Sequence, residues 1–317
     1  LARRTRDALG DVVSTPLGFS ETAEALASGV VGRLGRRDVV VVDGPDAAVY
    51  LQGQVTQDLD GLAVGAGVDA LVLSPQGKLE AMVRIARTGE ERFAVEVESG
   101  FGTALLDRLR RFKVRVKATL DLVELGCLEL RGPLADRPAV AEIDGDPGGD
   151  AVVLPYAFGA LRGYDVLGSG AVVPPGVAIG DEGAFEVARI LAGVPRMGRE
   201  LTERTIPQEA GIVGRTVSFS KGCYTGQELV ARLDARGNRV PWNLRLLRVP
   251  GAVDLSGGAP LRDADREVGH LTSAAYSPVL DATVALGYLR RDVAVPTTVT
   301  VDGPNGASSA VAEAVGE

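Results

Sequence analysis

Apolar residues in this chain alternate with polar ones or run in short β-branched blocks, and only a few windows repeat at helical spacing. Val39–Val42 is an apolar β-branched run and reads as a strand. It ends at Asp43-Gly44-Pro45-Asp46, a turn that sets Pro at the first helical position. The helix that follows, 45–59, puts Ala47, Ala48, Leu51, Val55 and Leu59 on one stripe. Strands are predicted at 68–73 and 78–86, joined by the turn Ser74-Pro75-Gln76-Gly77, and at 92–97. An amphipathic helix at 102–111 and strands at 113–117 and 120–130 come next. Residues 131–150 are rich in Pro, Gly and Asp without any period and read as an exposed loop. Strands at 151–154 and 161–167 and a helix at 182–192 complete this part. Strands and helices interleave without a regular βαβ rhythm, which makes the fold class α+β.

From residue 243 the texture changes. Short strands at 243–249, 266–273, 283–289 and 297–302 are split by Gly, Pro and Asp turns, with no helical period. That pattern predicts a small all-β barrel or sandwich, and divides the chain into 1–240 and 241–317. A length of 317 residues is itself too great for one ordinary core. With 41 glycines and only 4% aromatics, Val, Leu and Ala must fill the interior. The net charge of −8 argues against a general nucleic-acid binder, which needs a basic surface to neutralise phosphates. The basic start, Leu1-Ala2-Arg3-Arg4, is followed by no apolar run of membrane-spanning or leader length, so neither a membrane span nor a signal peptide is predicted and the expected compartment is the cytoplasm.

Two cysteines and one histidine exclude much chemistry. A structural zinc site needs four ligands, and a four-iron cluster normally needs four thiolates, so no resident metal is expected. Cys127 lies in an alternating run, Val123 to Arg131, and reads as a strand residue. Cys223 differs. It stands in Lys221-Gly222-Cys223-Tyr224-Thr225-Gly226-Gln227-Glu228, where Thr225 and Glu228 have the capping-box spacing for a helix at 226–236. That helix would bury Leu229, Val230 and Leu233, turn Arg232 and Arg236 outward and stop at Gly237. A thiol just before a helix N-terminus, with Lys221 two residues away, is placed for a lowered pKa. A small hydrophobe buried at a turn is the competing reading.

Residues 221–228 resemble the signature of the YgfZ family, folate-binding relatives of the glycine-cleavage T-protein (GcvT). Gly44-Pro45-Asp46-Ala47, the segment Leu51–Leu59 and Leu73–Lys78 resemble that family's N-terminal half, while Ala192–Pro195, Glu200–Glu203 and Ile206–Gly211 resemble its approach to the signature. The resemblance implies a three-part architecture of two α+β folate-binding subdomains and a C-terminal β-barrel. It also implies tetrahydrofolate as cofactor and a role in maintaining or repairing iron–sulfur proteins, with Cys223 and Lys221 as the working pair. Tyr164, Asp165, Arg189, Tyr224, Gln227, Glu228 and Arg232 are the implied folate-binding set.

The T-protein carries an aspartate pair just after the turn matched by Ser74–Lys78, and here Ala81 and Met82 stand in its place. Aminomethyl transfer is therefore an alternative that lacks its carboxylate. Asp165, after Gly163-Tyr164, can accept hydrogen bonds from a pterin or sit at an exposed strand end. The arginines from Arg232 to Arg248, and the basic run Arg108–Lys117, can meet the glutamate tail of folate or an acidic partner, or form solvated faces. His270, the only imidazole, could pair with Cys223 in a nucleophilic hydrolase only if folding brings the two together. Trp242, the only tryptophan, can stack on a pteridine or pack in a core. A non-catalytic folate-responsive scaffold is the remaining alternative.

Overall fold

A computed structural model describes residues 16–135, 151–168 and 173–316. Most of the predicted loop 131–150 lies outside these residues. Arg131 itself belongs to a strand.

The N-terminal part runs α1 (Phe19–Ser28), β1 (Val31–Asp43), α2 (Ala47–Gln54), β2 (Gly67–Leu73), β3 (Leu79–Arg87), β4 (Arg92–Glu98), α3 (Gly102–Arg111), β5 (Thr119–Arg131), β6 (Val152–Phe158) and β7 (Leu161–Gly168). Helices α4 (Glu182–Leu191), α5 (Val213–Thr216) and α6 (Gln227–Ala235) follow. The seven strands form one sheet in the order β2-β3-β4-β1-β5-β7-β6, and every pairing is antiparallel. β1 lies at its centre, paired with β5 from Val31↔Arg131 to Asp43↔Thr119. Gly163 makes the β5–β7 contact possible, since a Cβ there would lie 1.9 Å from the Leu130 carbonyl oxygen.

The pleat sends alternate residues to opposite faces. On one face Val40, Val42, Ala81, Val83, Ile85, Phe93, Val95 and Val97 are sealed beneath α2 and α3. α3 meets that core through Leu105, Leu106 and Leu109, and spans the ten residues its pattern predicts. The opposite face carries the charged partners in the alternation, described below.

The remaining elements, β8 (Trp242–Pro250), β9 (Pro260–Asp263), β10 (Arg266–Ser277), β11 (Ala282–Arg290), β12 (Thr297–Gly303) and β13 (Gly306–Ala314), close into a barrel in the order β10-β11-β8-β13-β12-β9. Val187 and Ile190 of α4 pack on Leu244, Leu246, Val284, Leu286 and Tyr288 of the barrel. Glu200 ties the same junction by charge-assisted hydrogen bonds: its Oε1 accepts from Thr272 Oγ1 at 2.7 Å and Ser273 Oγ at 2.6 Å.

Several sequence expectations need correction. Ala47, Leu51, Val55 and Leu59 of the stripe are buried and Ala48 is half-buried, but the helix ends at Gln54, and Val55 is already extended. Pro45 is not its first residue, because Asp46 is the N-cap. No strand forms at 113–117, where Arg115 has a left-handed φ of 56° and Val114 is exposed. β9 and β13 carry few large apolar residues, and α1 has no Asp, Asn or Ser cap, so these elements leave little pattern.

Candidate functional site

The charged face of the central sheet builds a closed ring of alternating ions. Glu129 Oε1 accepts from Arg37 Nη2 at 2.6 Å, and Arg37 Nε donates to Glu96 Oε1 at 2.9 Å. Arg84 Nε donates to Glu96 Oε2 at 2.7 Å, and Arg84 Nη2 lies 2.6 Å from Asp165 Oδ2. Arg131 Nη1 donates to Asp165 Oδ1 at 2.6 Å, and its Nη2 returns to Glu129 Oε2 at 3.5 Å. Arg33 joins from outside the ring, 2.6 Å from Glu129. Strand register causes this closure: Arg84 faces Glu96 across β3–β4, Arg33 faces Glu129 across β1–β5, and Glu129 faces Asp165 across β5–β7. The last pair is like-charged and needs the surrounding arginines to be tolerated.

Burial penalises the Asp165 carboxylate, but Arg131 and Arg84 outweigh that penalty and hold its pKa well below the ordinary carboxylate range. Glu129 is held low in the same way, burial being outweighed by Arg33, Arg37 and Arg131. Two buried atoms in the ring are left over. Arg84 Nη1 has no hydrogen-bond partner among the described residues, and Asp165 Oδ2 touches Arg84 without hydrogen-bond alignment. Buried polar atoms are rarely left this way, because each costs about 1–3 kcal/mol.

Both residues line a cavity of about 130 Å³ over the ring, closed by Met82, Arg189, Arg196 and Arg215. Its aromatic walls each carry a guanidinium: Arg131 lies 3.6 Å from the centre of the Tyr156 ring and Arg215 lies 4.2 Å from that of Phe158. An outer vestibule of about 290 Å³ shares Asp69, Arg84 and Arg215 with the cavity and reaches Gln57 at its rim. Arg215 is ion-paired to Asp69 at this shared boundary.

Asp165 and Arg189, both singled out from the sequence, meet in this cavity. Arg189 is buried, with Glu186 accepting from its Nη2 at 2.8 Å and Glu200 from its Nη1 at 3.3 Å. Asp165, 1% exposed, is no exposed strand end. Tyr164 points the other way and packs with Leu128, Leu130, Val153 and Val166 on the back of the sheet.

Tyr224, Gln227, Glu228 and Arg232 belong to a different surface, the signature loop and α6, and line none of the three cavities described here. The helix start differs from the capping-box expectation. The N-cap is Gly226, at φ 84°, and Gln227 Oε1 reaches back to accept the Tyr224 N–H at 3.0 Å. Glu228 is thus the second helical residue, not the third. Gly226 is required because a Cβ there would lie 2.5 Å from the Ser74 carbonyl oxygen; reciprocally, a Cβ on Gly77 would lie 2.5 Å from Leu229 Cβ. The loop therefore seats on the turn between β2 and β3. At the far end, Gly237 N–H donates to Asp234 and Asn238 N–H to Leu233, the two bonds of a Schellman motif.

Cys223 is exposed, whereas Cys127 is buried in β5. Lys221 is engaged by the backbone. Its Nζ donates to the carbonyl oxygens of Gln52, Val55 and Gln57 at 2.7, 2.9 and 2.8 Å, which stitches the loop to the end of α2. Burial pushes its pKa down to about 8, against the opposing pull of Asp58 and Asp60.

His270 sits elsewhere, in a groove of about 970 Å³ between the barrel and the first part of the chain. It stacks edge-on to Trp242 at 6.1 Å and lies 5.9 Å from Tyr288, and Cys223 does not line that groove. The two basic runs dissolve on folding. Arg108 is buried, donating to Glu80, Gln54 and the Leu73 carbonyl, while Arg232, Arg236 and Arg239 remain exposed.

The residues that sequence reasoning missed are the ring members Arg37, Arg84, Glu96, Glu129 and Arg131, together with Arg33 and Arg215. Their signal was present as charge at alternate strand positions, such as Glu80-x-Met82-x-Arg84 and Glu129-x-Arg131. Such alternation ordinarily marks a solvent face.

Comparison with known proteins agrees with this architecture. Residues 243–314 match the family model of the glycine cleavage T-protein C-terminal barrel domain. The chain is 30% identical over 221 residues to the tRNA-modifying protein YgfZ of Yersinia enterocolitica, covering 63% of this chain and 65% of that protein. It is 27% identical over 252 residues to the mitochondrial iron–sulfur cluster assembly factor IBA57 homolog of Neurospora crassa, covering 74% and 56%. The matched region thus spans less than two thirds of either relative's length. The crystal structure of the glycine cleavage system aminomethyltransferase T from Bartonella henselae superposes with a TM-score of 0.77 at 19% identity, over 95% of this chain and 89% of that one. No described helix is long and apolar enough to cross a membrane.

Proposed function

Because this chain belongs to the YgfZ/GcvT-like family, we propose that it binds tetrahydrofolate over the ion ring and serves, through Cys223, in maintaining iron–sulfur proteins of the cytoplasm. The observation that carries this reading is the pair of leftover atoms in the cavity. Arg84 Nη1 is a donor without a partner among the described residues, and Asp165 Oδ2, ion-paired to Arg84 Nη2 at 2.6 Å, is an acceptor without an aligned hydrogen bond. That is the complement of a planar amide edge with its own acceptor and donor, as in the aminopyrimidinone half of a pterin. Arg196 at the cavity wall, with 39% of its side chain exposed, suits a carboxylate of a glutamate tail. Bound there, folate would supply a reduced, electron-rich ring and a carrier of one-carbon units.

Aminomethyl transfer is the weaker reading. Ala81 is buried in the core, Met82 occupies the cavity wall, and Glu80 is committed to Arg108 at 2.5 Å. No free carboxylate thus stands where the T-protein's pair would be. A hydrolase built on Cys223 and His270 is disfavoured by their separate surroundings. Exposure of Cys223 suits brief contact with a partner's cluster, persulfide or thiol. The test combines calorimetric titration with tetrahydrofolate and replacement of the chromosomal gene by a Cys223→Ser allele. Micromolar or tighter binding, with loss of cluster-enzyme activity in the mutant strain, is expected. Full cluster-enzyme activity with Cys223→Ser would remove the thiol from the mechanism.

A further inference from the structure

The cavity and the signature loop are joined by a short, fully buried or half-buried segment, Val55-Thr56-Gln57. On one side it is bonded to α5. Thr56 Oγ1 donates to the Thr216 carbonyl at 2.6 Å, and Gln57 Nε2 donates to the Arg215 carbonyl at 3.2 Å. On the other side it holds the loop. Lys221 Nζ donates to the carbonyls of Val55 and Gln57, and the Ser218 N–H donates to the Thr56 carbonyl at 3.0 Å. The side chain of Arg215, which belongs to the same turn of α5, stands at the boundary of cavity and vestibule, ion-paired to Asp69 and stacked on Phe158.

We propose that Arg215 is a positioning residue that couples occupancy of the cavity to the placement of the Cys223 loop, through Gln57. This rests on the reading of the cavity as a ligand site. A ligand that extends over both the cavity and the vestibule meets the boundary that Arg215, Asp69 and Arg84 share. An acceptor group on that ligand competes with Asp69 for the guanidinium, and an aromatic ring competes with the guanidinium for Phe158. Either exchange moves Arg215. α5 is a single turn whose Arg215 and Thr216 carbonyls are both bonded to the segment, so a displacement of its backbone is shared with Thr56 and Gln57. Gln57 is held by the backbone of Arg215 and in turn supplies one of the three acceptors on Lys221, so the shift reaches the loop as a changed latch. Coupling of this kind acts through two arrangements of a shared element, each favoured by a different occupant.

The experiment separates binding from coupling. Calorimetry measures the affinity for 5-formyltetrahydrofolate, and the rate of Cys223 alkylation by iodoacetamide is followed by peptide mass with and without it. Buried Cys127 serves as the unreactive reference. In the unaltered chain the ligand is expected to change the Cys223 rate about fivefold, the lower end for coupled sites. Gln57→Ala keeps the backbone carbonyl that holds Lys221 and removes the bond to the Arg215 carbonyl, along with a local one that Gln57 Oε1 accepts from the Asp58 N–H at 3.1 Å. It should still bind the ligand, while the ligand effect falls to less than about twofold. Arg215→Lys, which keeps the charge but loses the stacked, forked geometry, should lower the ligand effect on the Cys223 rate to less than about twofold when measured at saturating ligand. A ligand that binds without altering the rate, or an undiminished effect in Gln57→Ala, overturns the coupling and leaves the site reading intact. Absence of binding in the unaltered chain sinks the site reading, and the coupling with it.

Discussion

Asp165→Asn is the sharpest perturbation of the ion ring. The side chain is 1% exposed, and its two oxygens are each within 2.6 Å of a different guanidinium, Arg131 and Arg84. The substitution keeps the shape, removes the charge and turns one oxygen into an NH₂ group that faces a donor. Breaking a buried pair typically costs about 3–5 kcal/mol. Arg84 retains Glu96, and Arg131 retains a long contact to Glu129, so the lower end applies and a loss of about 3 kcal/mol is expected at pH 7. The assay is urea unfolding of both proteins across pH. Because the folded-state pKa of Asp165 is depressed, its stabilisation is fully present above the unfolded value near 3.9 and fades as the pH falls from there toward the folded value. The gap between the two proteins should therefore stay constant from about pH 5 to 8 and narrow below about pH 4. Pairing Asp165→Leu with Arg131→Met should recover at least half of the loss, since an apolar pair avoids an uncompensated charge. A loss below about 1 kcal/mol, or a gap that ignores acid, would refute the claim that the ring is a closed, mutually dependent unit.

Two further outcomes follow from the geometry. Lys221→Met removes three charge-assisted hydrogen bonds, and after discounting for its half-exposed setting should cost about 2 kcal/mol. Hydrogen exchange should accelerate at the amides of Ser218 and Thr225, which bond to Thr56 and Gly53; unchanged exchange with a tenfold slower Cys223 alkylation would instead make Lys221 a thiol activator. His270 is the only imidazole, so its proton resonances are unambiguous. His270 is exposed but packs on one side against Trp242 and Tyr288, and this partial desolvation should bring its titration midpoint below 6.5, so that its contribution to stability is lost as the pH falls from 6.5 through that midpoint; a midpoint above 6.5 would contradict the packing.

Much of the fold was legible because its periodic signals are local. The stripe of α3, the β2–β3 turn and the α+β-then-barrel texture each follow from spacing alone. The short ending of α2 was not legible, because Val55 and Leu59 are buried by tertiary packing after the helix has stopped. The false strand at 113–117 had the right residue types but no neighbouring strand to pair with. The capping-box pattern at Thr225 misled for a related reason: contact with the Ser74 turn, a feature 150 residues away in sequence, made Gly226 the N-cap.

The same division holds for the site. An eight-residue segment singled out Cys223 from sequence, since a pattern carried by consecutive residues can be read in order. The ion ring could not be read this way. Its members come from five strands spread between Arg37 and Asp165, each looking like the polar half of an ordinary amphipathic strand. Only pairing register brings them into contact, and only the covering by α4 and the segment around Arg196 and Arg215 removes them from water, where a surface charge pattern becomes a buried network. Lys221 shows the converse: sequence proximity suggested a partner for the thiol, while folding seats its ammonium on three backbone carbonyls from a segment more than 160 residues earlier.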